Sequence, residues 1–184
     1  MLPGIESYEH FTNDDRRHIS VVSNTLYRHK TLQLTHVTYD MQEDTSRILQ
    51  RRYTGIMVLS DDDEHPYLYG QVLNLFHIRV KNNGPYTILH NGSDGILPIV
   101  WIRWFKLDNM DGQQGFHSLR YPSVSFCKSD EPDAFGFIHP DKIIRAIHLI
   151  PRFKFGYTNE YLSGNSSARP EAESSDWKHF NVNM

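Results

Sequence analysis

The stretch that most constrains this chain runs from residue 65 to residue 105. Between 67 and 80, Tyr67, Tyr69, Gln71, Leu73, Leu75, His77 and Arg79 form one alternate set. Leu68, Gly70, Val72, Asn74, Phe76, Ile78 and Val80 form the other, more apolar set. Alternation sustained over that length predicts one long strand with the second set facing the core. Gly70 in its middle predicts a bulge or a bend. Turn-forming residues 82–85 (Asn-Asn-Gly-Pro) and 91–95 (Asn-Gly-Ser-Asp-Gly) follow. Residues 97–105 then hold two of the three tryptophans, Trp101 and Trp104. Both faces of this second run are apolar, as in a strand near the centre of a curled sheet or barrel.

The rest of the chain repeats the theme at smaller scale. Residues 31–39 alternate apolar and polar side chains with β-branched residues, the signature of a strand. Residues 40–52 are polar and read as a loop or one short helix, whereas 55–60 (Gly-Ile-Met-Val-Leu-Ser) suit a short buried strand. Four adjacent carboxylates at 61–64 repel one another and belong on a solvated turn; they lack the alternation and glycine of a calcium loop. A brief strand or a loop is expected at 86–90, and short strands at 116–121, 123–127 and 134–139. Asp141 is placed to cap a turn at 142–145 before a final strand that Pro151 closes. Short strands, turn-rich connections and hardly any helix predict an all-β fold, a small β-barrel with short helical turns and irregular termini. Residues 1–30 read as an N-terminal arm, with a short helix capped by Asn13 as the other option. Residues 31–155 form the barrel domain, and 156–184 a polar tail that either floats or docks through Trp177.

At 184 residues, with 39% hydrophobic and 12% aromatic content, the chain suffices for one packed domain. Its mean hydropathy of -0.55 and the lack of a run of about 20 apolar residues predict no membrane-spanning helix. No basic stretch followed by an apolar one opens the chain, so no signal peptide is expected. The single cysteine, Cys127, excludes an internal disulfide and points to a reducing, intracellular compartment. A net charge of -3 argues against a domain that lives by wrapping nucleic-acid phosphates.

Chemistry-bearing motifs are sparse. The eleven histidines form no His-Glu-x-x-His or His-x-His pattern. No nucleophile motif surrounds Cys127, and no glycine-rich loop opens a helix, so neither an enzyme nor a bound cofactor is expected. Aromatic side chains are over-supplied instead. Their plain role is to fill a small barrel; their functional role would be to line a groove for a peptide or a methylated lysine.

At this point the residues resemble a known family. The motifs at 65–76, 100–105 (Val-Trp-Ile-Arg-Trp-Phe) and 141–151 look like those of a bromo-adjacent homology (BAH) domain, in the same order, over roughly residues 54–153. The resemblance implies a β-barrel interaction module of chromatin proteins, nuclear, with a protein or histone peptide as partner. Carried over by position, Tyr67 and Trp104 resemble two walls of an aromatic cage, with Tyr69 beside them. The third wall falls near Phe126 and Cys127, where such readers carry a tyrosine. A wider likeness, through residues 36–40, 57–60, 66–70, 101–105, 134–138, 147–151 and 176–184, is to the C-terminal region of fungal KDZ-type transposon proteins. It implies a transposon-derived chain that is a fragment of something longer. One alternative is a nucleic-acid-binding accessory domain, with Arg51, Arg52, Arg79, Arg103 and Arg120 gathered on one face. Another is a metal-dependent, cupin-like enzyme, which needs at least three histidine or carboxylate side chains at one point.

Overall fold

The computed structural model describes residues 12–13, 17–37, 43–49, 54–60, 65–83, 95–108, 121–169 and 173–183. They form an all-β protein. Its strands are β1 (Ile19–His29), β2 (Thr31–Val37), β3 (Glu43–Leu49), β4 (Thr54–Leu59), β5 (Tyr67–Asn82) and β6 (Gly95–Leu107). They continue with β7 (Ser123–Phe126), β8 (Phe135–Ile138), β9 (Ile143–Pro151), β10 (Tyr157–Thr158), β11 (Asp176–Trp177) and β12 (Phe180–Asn183). The chain divides into two compact units, one made of Met1–Tyr27 and His77–Leu97, the other of Arg28–Phe76 and Pro98–Met184.

In the first unit β1 pairs with β5. The His18 carbonyl accepts from the Asn83 amide at 2.8 Å, and Tyr27 stacks on His77 with centroids 4.7 Å apart. Residues 19–29 are thus a strand where an arm was expected. The expectation failed because β1 is exposed along nearly its whole length and carries little core signal. Left-handed φ values at Ser23 and Asn24, 59° and 47°, interrupt it midway.

In the second unit the sheet order is β5-β4-β9-β12-β7-β6-β8, and a further β5–β6 pairing closes it into a barrel-like ring. Gly70 lies where the ring closes. A Cβ there would stand 3.2 Å from the Trp104 ring, so the glycine clears room for an indole. Of the bulge or bend expected at Gly70, no bulge is seen against β4: β4 and β5 stay in register through Ile56↔Gly70. The ring interior is packed by Met57, Tyr69, Phe105, Phe126, Leu149 and Phe180 among others. Outside, the β2–β3 hairpin lays Leu32, Leu34 and Ile48 over Ile56, Val58 and Val72. Being covered on both sides explains why β5 buries residues from both alternate sets, Tyr69 as well as Val72, while Leu68 is exposed.

Further strands went unforeseen. Residues 43–49, expected as a loop or helix, form β3, whose Ile48 is fully buried. Residues 180–183 form β12, inserted between β9 and β7, so the C-terminal segment is a structural strand and not a floating tail. The turn before β9 is a 3-10 turn, Pro140–Lys142, capped by His139 rather than Asp141. The expectations for 61–64, 86–90 and 116–120 lie outside the described residues. No helix among the described residues is long and apolar enough to cross a membrane.

Candidate functional site

Trp104 stands apart from the other three expected binding residues. Tyr69 and Phe126 are buried in the ring interior, and Tyr67 packs against that cluster. Trp104 belongs to the outer cluster under the β2–β3 hairpin. It is further confined by Gly136 of β8, where a Cβ would stand 2.7 Å from the indole Nε1. Tyr67 and Trp104 therefore project to opposite sides of the sheet. Burial, and then the neighbouring Tyr67, push the Tyr69 hydroxyl up to about 12; its oxygen lies 3.2 Å from His65 Nε2.

Of the five arginines expected on one face, Arg103 and Arg79 are described. Arg103 is fully buried in the second unit and Arg79 belongs to the first, while Arg51, Arg52 and Arg120 lie outside the described residues. Among the described residues no group of three or more histidine, cysteine or acidic side chains is placed to hold a metal ion.

Arg103 has another role. Phe105 and Arg103 share the inward parity of β6, so the guanidinium enters the ring and lies 3.8 Å from the centroid of Phe126. There it donates two hydrogen bonds to Asp176, at 3.1 and 3.0 Å. A second buried arginine, Arg169, grips the same carboxylate at 3.2 and 2.8 Å. Arg169 also donates to the carbonyls of Leu162, Gly164 and Ser174. Burial alone would raise the Asp176 carboxyl, but the hydrogen bonds and charges of Arg169 and Arg103 outweigh it and hold the group below its ordinary value. Burial lowers the Arg103 guanidinium. Two buried cations on one buried anion tie Arg169 and Asp176 to Arg103 of β6.

Alternation then decides what the outside of this segment presents. β10 and β11 pair Tyr157 with Trp177 and Thr158 with Asp176. Thr158 and Asp176 point inward and are buried. Tyr157 and Trp177 therefore share the outer face, where their rings stack at 3.8 Å and 27°. Upstream, a 3-10 turn at Phe153–Phe155 swells out of the same ladder, held by Arg152 N to His179 O and Lys178 N to Gly156 O. The turn sets Phe153 edge-on to Trp177 at 5.1 Å and Phe155 edge-on to His179 at 4.9 Å. Phe153 and Tyr157 are 70% and 54% exposed.

Cations border these rings. Arg152 lies 4.6 Å and Lys154 5.9 Å from the Phe155 centroid, and Lys178 follows Trp177. A polar relay fixes this margin: Arg152 donates to Ser123 Oγ (2.9 Å) and Ser123 donates to Asp108 (2.9 Å). The same Asp108 oxygen takes His179 Nδ1 at 2.7 Å. The surface thus offers flat apolar faces beside positive charge, suited to stacking planar groups and to pairing with anions. Residues 152–157 (Arg-Phe-Lys-Phe-Gly-Tyr) carry this interleaving openly in the sequence. The interleaving straddles residue 156, where the expected tail begins.

Known protein families, curated proteins and solved structures give no match to this chain. The family resemblances therefore rest on the motifs alone.

Proposed function

We propose that this chain is a non-catalytic interaction module, a BAH-like barrel of transposon-derived origin that works in the nucleus on a chromatin-associated partner. One observation carries the reading: Phe153 and Tyr157 flank Trp177, which packs against the core, and both are more than half exposed. Exposed aromatic side chains cost solvation, and a monomer has no packing reason to keep them in contiguous array. The docking surface is therefore relocated from Tyr67, Tyr69, Trp104 and Phe126 to residues 152–157 and 176–179. The neighbouring Arg152, Lys154 and Lys178 repel a methylated lysine, so the reading favours an anionic partner over a cage ligand.

The test is a binding panel of modified and unmodified histone peptides with duplex and single-stranded DNA, run with wild type and a Phe153→Ala/Tyr157→Ala variant. Wild type is expected to bind at least one member of the panel, and the double variant to lose about tenfold or more while keeping its melting temperature. Equal binding by both proteins would place the docking surface elsewhere; no binding by wild type would overturn the reading.

A further inference from the structure

We infer that the surface formed by residues 152–157 and 176–179 binds single-stranded nucleic acid, its rings stacking bases and its cations pairing with the phosphates. The inference rests on the docking-surface reading above and names the partner class. Three features support it together. First, the rings are firmly placed: Tyr157 is fixed by its pairing with Trp177, and Phe153 by a turn whose backbone is tied to β11 through Lys178 and His179. Preorganised rings lose little entropy when a base stacks on them. Trp177 has one face covered by Tyr157, so the outer faces of Tyr157 and Phe153 are the stacking platforms.

Second, cations stand beside the rings. Arg152 and Lys154 border the Phe155 ring and Lys178 follows Trp177 in the chain, whereas the carboxylates of Asp176 and Asp108 are already hydrogen-bonded. Asp176 is held inward by Arg103 and Arg169, and Asp108 accepts from Ser123 and His179. Exposed Glu160 lies beyond the paired residues, past Thr158. Third, the whole chain carries a net charge of -3, which supplies no broad field to attract a duplex. A duplex also hides its base faces in its own stack, whereas a single strand presents them. Stacking against local cations is what remains, and that selects unpaired bases.

The experiment uses the full chain and a fluorescein-labelled oligothymidine of roughly 12 nucleotides, followed by anisotropy, with Trp177 emission as the reporter of stacking. Duplex DNA and polyglutamate serve as competitors. Wild type should bind the oligothymidine more tightly than a duplex of equal length and quench Trp177. With up to three phosphate contacts, the slope of log affinity on log salt should be about -2. Phe153→Ala/Tyr157→Ala should weaken binding roughly 5- to 150-fold for each base stack lost, leaving the slope unchanged. Lys154→Glu/Lys178→Glu should flatten the slope with the rings intact. Phe153, Lys154 and Tyr157 are exposed and Lys178 half-buried, and melting temperatures near wild type will verify folding.

Duplex binding as tight as the single strand, or displacement by polyglutamate with no effect of the ring variant, would overturn the inference in favour of plain charge attraction. A histone peptide bound through Phe153 and Tyr157, with no oligothymidine bound, would overturn it too but leave the docking surface standing. Absence of every ligand would overturn both.

Discussion

Asp176 sits in a Ser-rich stretch that looks solvated, and Arg103 sits between two tryptophans where it looks like a surface contact. Their pairing across 73 residues inverts both impressions. Nothing local in the sequence announces it, because an ion pair has no periodicity and neither partner's neighbours reveal the other. What was legible was parity: Arg103 shares its face of β6 with Phe105, so a buried Phe105 implies a buried Arg103 in need of a counter-charge. Replacing Asp176 with Ala leaves two buried guanidiniums facing each other, and Arg103 Nε already lacks a partner. Asp176→Ala is therefore expected to destabilise the protein by about 3–5 kcal/mol, read by urea unfolding. A loss below about 1 kcal/mol would show that the pair is incidental.

Most of the strands could be read from alternation or short apolar runs: β2, β4, β5, β6, β7, β8 and β9 all fall where the side chains predicted. The failures have physical causes. Among the described side chains β1 and β3 bury few apolar groups, and β10 and β11 are two residues long; β12 buries Phe180 and Val182 but is four residues long and follows a polar stretch. The candidate surface depends on one such element. The turn at Phe153–Phe155 ends at Gly156, whose φ of 67° is left-handed, with no atom within 4 Å of a notional Cβ. Steric clash with neighbours is absent, so the backbone alone sets the cost of a side chain. Gly156→Ala should cost about 1–2 kcal/mol and loosen the turn. Its signature would be a shift in Trp177 emission as the Phe153 and Tyr157 contacts relax. An unchanged stability would mean that the turn tolerates another path into β10.

At the scale of the whole molecule, two buried groups of opposite kind should shape the dependence of stability on pH. Asp176 has a folded value below its unfolded one, near 3.9. Its contribution is thus present above about pH 4 and lost as pH falls through the lower folded value. Tyr69 is the mirror case, rising from 10.0 to about 12 in the folded protein. Its contribution is fully present below about pH 10 and lost as pH climbs through about 12, on the order of 2–3 kcal/mol in total. The ionised phenolate would have to sit inside the apolar ring interior, beside Phe105 and Phe126. Tyr69→Phe removes that proton at the expense of the hydrogen-bonding contact with His65, about 1 kcal/mol. The variant should accordingly be slightly weaker than wild type at neutral pH yet fall less steeply between about pH 10 and 12. Thermal melts across that range decide it. Parallel alkaline limbs in the two proteins would mean that other groups drive alkaline unfolding, and that Tyr69 opens to water before it ionises.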